Sequence, residues 1–146
     1  MRVRVERATF DIGVETAAFV AAVGGAGAVV TFTGIVRDDD GRLERMEIEH
    51  YPGMTERTIA SFTERAVKRW SLIDAMVIHR YGPLKPGQPI MMVATASRHR
   101  ANAFVAAEFL MDYLKTRAPF WKKEIGFSGE NWVKPTLDDE GAVGRW

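Results

Sequence analysis

Four cationic side chains crowd into nine residues, Lys115, Arg117, Lys122 and Lys123, within the stretch Met111–Glu124 that reads MDYLKTRAPFWKKE. Tyr113, Phe120 and Trp121 are interleaved with them. Pro119 has no N–H to donate and pushes Ala118 out of the helical region, so a helix arriving from the N-terminal side must turn there. Such a turn brings Lys115, on the last helical turn, toward Lys122 just past the break. Two ammonium groups beside aromatic walls suit an anionic, planar ligand, and each lowers the other's pKa toward a range useful for proton transfer. The competing reading has Lys115 and Arg117 complementing the helix dipole while Lys122 and Lys123 are solvated.

Two further basic positions invite a ligand. Ser97-Arg98-His99-Arg100 stands where a helix should begin, with Ser97 as its N-cap. Positive side chains oppose the helix dipole at that end, an arrangement that an anion would complete through free N–H groups and guanidinium forks. The alternative is that they point into water or pair with distant carboxylates. Arg37 ends an apolar strand just before Asp38-Asp39-Asp40, and taken alone it reads as a surface ion pair with that run. His50 and Tyr51 read as a satisfied strand end or ligand contacts, and His79 as structural.

Bulk properties exclude several classes. Twenty basic and nineteen acidic residues give a formal charge of +1, so no global field draws nucleic acid. No cysteine is present, which removes disulfides, thiolate metal sites and a cysteine nucleophile. Three histidines without HxH or HxxxH spacing make a zinc site improbable. Gly24-Gly25-Ala26-Gly27 precedes a strand, whereas a dinucleotide fingerprint follows one, and no P-loop lysine follows it. Thr16–Val36 is uncharged, but its glycines and β-branched second half read as a short helix, a turn and a buried strand, not a membrane span. The expected setting is soluble and cytoplasmic.

The elements that must position these residues read as a single α+β domain over residues 1–146. Its sheet is mixed and largely antiparallel, with about three helices. Strands are expected at Arg2–Arg7, Ala28–Arg37, Leu43–His50, Ala75–Tyr81 and Pro89–Ser97, and more weakly at Glu124–Phe127 and Asn131–Val133. Helices are expected at Val14–Val23, capped by Asp11, at Glu56–Trp70, capped by Thr55, and at about Arg98–Arg117, burying Phe104, Ala107, Met111 and Leu114. Gly82–Gly87 reads as a rigid turn.

With these residues assembled, the chain resembles the large, catalytic subunits of molybdopterin synthases. The matching segments are VVTFTG with Val36-Arg37, EHYPGMTE at Glu49–Glu56, VIHR with Gly82, Ser97–Arg100 and the Met111–Glu124 stretch, spread over most of the chain. The resemblance implies transfer of two sulfurs to cyclic pyranopterin monophosphate, giving molybdopterin. The sulfurs come from the C-terminal glycine thiocarboxylate of a small ubiquitin-like partner whose tail threads into the large subunit. No cofactor and no metal are implied. Carried over by motif, Lys115 and Lys122 are the catalytic lysines, and Arg37, His99, Arg100 and Lys123 are substrate-binding groups. Phe32 and Met111 are pocket walls, and Ile35, Val36 and Glu124 line the site through backbone contacts.

One distance constrains this site. His99 and Lys115 are sixteen positions apart, about 24 Å along an unbroken helix. A small pterin phosphate cannot span that, so a two-fold dimer is expected in which each site combines Lys115 and Lys122 of one chain with His99 and Arg100 of the other, inside a two-plus-two heterotetramer. The rival classes are a non-catalytic anion-binding module and a scaffold that holds the ubiquitin-like partner without chemistry.

Overall fold

The computed structural model describes residues 1–146. In chain order the elements are β1 (Arg2–Glu6), α1 (Ile12–Ala22), β2 (Ala28–Ile35), β3 (Leu43–His50), α2 (Met54–Arg69), β4 (Asp74–Arg80), β5 (Gly82–Leu84), β6 (Pro89–Ser97), α3 (Arg100–Thr116), β7 (Phe120–Gly126), β8 (Gly129–Val133) and α4 (Leu137–Val143). The expected mixed, largely antiparallel pairing is divided between two four-stranded sheets, β1-β4-β6-β2 and β5-β3-β7-β8. Only β1 and β4 run parallel.

The first sheet is covered on both faces, which is why β4 and β6 carry near-continuous apolar runs. Alternation sends Val77, Met91 and Val93 toward Ile59 and Phe62 of α2 and Phe109, Leu110 and Leu114 of α3. The intervening Met76, Ile78, Met92, Ala94 and Ala96 pack against Phe10, Phe19 and Val23 around α1. The second sheet buries only one face, where Met46, Ile48 and Leu84 meet Val36. Ile90 and Phe120 touch both the α2–α3 cluster and this smaller one, so they join the two sheets.

Local chemistry sets the ends. Asp11 caps α1 as expected, accepting from Val14 N–H at 2.9 Å. Thr55 does not cap α2; Gly53 stands there at φ 83°, its N–H donating to Glu56, while the buried Thr55 hydroxyl returns to the Tyr51 carbonyl. His99, not Ser97, is the N-cap position of α3, and the Ser97 hydroxyl donates to the His99 carbonyl instead. Gly27 permits a close approach: a Cβ there would lie 2.2 Å from the Arg98 carbonyl oxygen, so the glycine run serves packing.

Three expectations shift. Phe104 is 60% exposed, because α3 turns Ala103, Ala106, Phe109, Leu110 and Leu114 inward and small alanines let it lie close to the sheet. Gly82–Leu84, read as part of a turn, pairs as a short strand with β3. A fourth helix, α4, opens on a capping box in which Thr136 Oγ accepts from Asp139 N–H and the Asp139 carboxylate from Thr136 N–H. No helix is long and apolar enough to cross a membrane.

Candidate active site

The chain reverses between α3 and β7 in three residues. The N–H groups of Arg117 and Ala118 both reach back to the Tyr113 carbonyl, Pro119 follows, and Phe120 N–H closes onto the Ala118 carbonyl. Lys115 on the last turn of α3 and Lys122 on β7 consequently line the same space, as their spacing around the proline anticipates.

That space has two parts that share the lysines. One is a cavity of about 110 Å³ whose remaining wall is almost wholly apolar, with Phe32 and Ile35 from β2, Met91 from β6, and Met111 and Leu114 from α3. The other is a more polar cleft of about 250 Å³, where Lys115 and Lys122 face Arg37, Lys134, Thr136 and Asp139. Burial, followed by the charge of Lys115, lowers the Lys122 pKa to about 8, with Asp139 partly offsetting them. Burial works against the Asp139 carboxylate, but hydrogen bonds from Thr136 and the charges of Lys115 and Lys122 outweigh it and hold its pKa below the ordinary value.

The remaining expected residues divide. Phe32, Ile35 and Met111 line the cavity. Arg37 sits at the cleft mouth, strongly exposed, with Nε 2.9 Å from Asp39 Oδ1, so the acidic run engages it as its sequence neighbourhood suggested. Val36 is buried, its N–H donating to the Gln88 carbonyl and its carbonyl accepting from Gly87 N–H, so its donor is spent within the fold. Glu124 lines an outer pocket with Arg37 and the aspartate run. Lys123 projects from the opposite face of β7 to Lys122, pairing with Glu130 at 2.7 Å above the Trp132 ring. His99 and Arg100 are exposed at the far end of α3, whose helix is unbroken from Arg100 to Thr116, so one chain does not bring them to the lysines.

Three titratable wall residues were not anticipated. Asp139 and Lys134 come from the C-terminal segment, where the Thr136-x-x-Asp139 capping pattern was the available signal. The third is His79, at the end of β4 and all but 1% buried. Its ring stacks on Phe120 at 3.7 Å and 15°, and Nδ1 lies 2.8 Å from the Arg80 carbonyl, so Nδ1 carries the proton. Burial, and then the charge of Lys122, push its pKa down to about 3, so the ring is neutral.

The arrangement offers two cations of different character, one with an accessible neutral form, at the junction of an apolar cavity and a cationic cleft. It can hold an anion, stabilise developing negative charge and move protons. Comparison with known proteins gives a consistent result. The family model described as MoaE protein matches residues 5–117. A molybdopterin synthase catalytic subunit of Cereibacter sphaeroides is 63% identical over 146 residues, covering all of both chains. One of Ralstonia nicotianae is 52% identical, over 99% of this chain and 83% of that one. Among solved structures, the molybdopterin biosynthesis MoaE protein of Burkholderia ambifaria superposes with a TM-score of 0.85 at 44% identity, covering 99% and 97% of the two chains. Molybdopterin synthase of Staphylococcus aureus gives 0.80 at 31%, covering 89% and 95%.

Proposed function

The chain belongs to the MoaE protein family, and from that premise we propose that it acts as the catalytic subunit of a molybdopterin synthase, a sulfurtransferase of molybdenum cofactor biosynthesis. Residues 1–146 form one catalytic unit, working in the cytoplasm with a small ubiquitin-like partner that ends in a glycine thiocarboxylate. The thiocarboxylate sulfur attacks a side-chain carbon of cyclic pyranopterin monophosphate, forming a C–S bond as that carbon's C–O bond breaks, the oxygen leaving with the opened phosphate in one transfer and as water in the other. Water then cleaves the resulting acyl–sulfur bond, leaving the sulfur on the pterin and an ordinary carboxylate on the partner. A second loaded partner repeats the transfer, and the cyclic phosphate opens.

The observation that carries this reading is the convergence of Lys115 and Lys122, from different elements, on a wall common to an apolar cavity and a cationic cleft. With a pKa of about 8, about one Lys122 in ten is neutral at pH 7, enough to accept and return protons through a cycle. Lys115 serves as the fixed charge that stabilises developing negative charge. Arg37 and Lys134 flank the cleft and draw the phosphate in.

His99 and Arg100 join this site from a second copy of the chain across a two-fold axis, with the small partners at the outer ends of a two-plus-two assembly. The unbroken length of α3 supports this, because one chain cannot present both of its ends to one small ligand. The direct test is to incubate the protein with a thiocarboxylated partner and cyclic pyranopterin monophosphate. Mass spectrometry should find a dithiolene-bearing pterin and a partner whose sulfur has been replaced by oxygen. A partner ending in an ordinary carboxylate should dock and give no product. Sulfur-independent turnover would overturn the reading.

A further inference from the structure

His79 is held more tightly than a core histidine requires. Its ring is clamped by the Phe120 stack, and Nδ1–H is committed to the Arg80 carbonyl at 2.8 Å. Nε2 is therefore an unprotonated acceptor. It makes no hydrogen bond within the chain, and no fully enclosed side-chain nitrogen or oxygen lacks a partner, so Nε2 opens onto the cavity it lines. Because the pKa lies far below neutrality, protonation does not convert this acceptor into a donor under working conditions.

The cavity is selective in size and polarity. At about 110 Å³ it is well under the roughly 300–1,000 Å³ typical of small-molecule sites, so its occupant is slim. Gly34 contributes to that wall, where a Cβ would meet the Met91 side chain at 3.4 Å. The lysines supply donors for an anionic end, and His79 is the one lining side chain with a nitrogen or oxygen acceptor. An extended glycine tail ending in a carboxylate or thiocarboxylate has this shape. Its terminal peptide N–H, an obligatory donor once removed from water, needs an acceptor, and among the lining side chains the neutral imidazole of His79 is a standing one.

We propose that His79 Nε2 accepts the backbone N–H of the partner's terminal glycine, fixing the tail so that its anionic end meets Lys115 and Lys122 while the pyranopterin occupies the cationic cleft. This rests on the sulfur-transfer reading and assigns the two halves of the site to its two substrates. His79 is thus a tail-binding residue, not a proton carrier.

The test is a binding cycle with full-length partner protein in its ordinary carboxylate form, so that no turnover intervenes. One semisynthetic partner keeps the terminal glycine N–H and the other replaces it with an ester oxygen. Each is titrated calorimetrically against wild type and His79→Phe, which keeps a ring on Phe120 but has no acceptor. Wild type should bind the ester tail roughly tenfold more weakly. His79→Phe should bind the native tail roughly tenfold more weakly, and the two changes together should lose no more than either alone. The KM for the pyranopterin should be unchanged in His79→Phe. Equal binding of both tails to wild type overturns the inference, and that arm needs no folded variant. So do losses that simply multiply. If wild type turns over the thiocarboxylated partner yet ignores the ester change, only the assignment of His79 falls. If wild type neither binds nor turns over the partner, the functional reading falls as well.

Discussion

Replacing Lys122 by methionine should make the protein more stable while destroying its activity, and the gain should vanish at high pH. The folded state holds the Lys122 pKa at about 8 against an ordinary value of 10.5. That depression is about 3 kcal/mol of destabilisation, an upper bound for a side chain that retains some contact with water. Burial is the larger cause and the Lys115 charge the second, and Lys122→Met removes both while keeping an unbranched chain of similar length against Leu114. The sign follows from proton counting. Between pH 8 and 10.5 the unfolded chain holds the proton and the folded chain does not, so wild-type stability rises with pH across that window. The penalty is therefore complete below about pH 8 and absent above about 10.5. Urea unfolding at pH 6.5 should show Lys122→Met more stable by up to about 3 kcal/mol, which is up to about 10 °C in Tm for a chain of this size. At pH 10.5 the Lys-dependent gain should be gone. A methionine variant that is less stable at pH 6.5, or whose advantage does not change with pH, would refute the account of Lys122 as a buried cation under strain.

Lys115→Ala should abolish product formation while the partner still docks, and it should raise the Lys122 midpoint toward the ordinary lysine value, read by NMR of the labelled amine. Asp139→Asn should move the same midpoint down, because the lost carboxylate had favoured the ammonium form; an upward move would remove Asp139 from the site. For the shared site, a His99→Ala/Arg100→Ala chain and a Lys115→Ala chain, each inactive alone, should recover roughly a quarter of wild-type activity when refolded together in equal amounts. Demonstrably mixed dimers without recovery would rule it out. In the core, Phe109→Ala should lose about 3–5 kcal/mol and Phe104→Ala well under 1 kcal/mol by chemical denaturation at protein concentrations low enough to exclude association.

The parts of the fold that were legible are those whose residues advertise their period. β4 and β6, enclosed on both faces, lack that alternation, and their shortness and the Gly–Pro turn between them marked them as buried strands instead. The division into two sheets was not legible, since alternation fixes which way side chains point and not which strands pair. α4 was hidden for a different reason: LDDEGAV has no apolar stripe, its Leu137 is 92% exposed, and its start is stabilised by a cap. From Ala103 to Met111 every residue of α3 but Glu108 is apolar, so two faces fitted equally well, and close packing on the sheet selected the alanine-rich one over Phe104. The lysine pair was visible because Pro119 forces the reversal. The opposed directions of Lys122 and Lys123 follow from strand alternation, but only once β7 is known to begin at Phe120 and not at Glu124. His79 stood within the matching VIHR segment but read as structural, because its place in the cavity wall depends on a ring from the other sheet.

Lys115 rides on a helix packed against the first sheet, and Lys122 is built into the second, with Ile90, Phe120 and the His79 stack as the seam between them. The spacing of the two ammonium groups is thus a measure of how the sheets sit on each other. A substitution at the seam that leaves both sheets intact would pass unnoticed in a melting curve and appear as a change in rate. Laboratory or natural drift in this chain should accordingly find its tolerated core changes on the α1 side of the first sheet, far from the seam. Compensating pairs should concentrate around Ile90 and Phe120, where packing and turnover are selected as one trait.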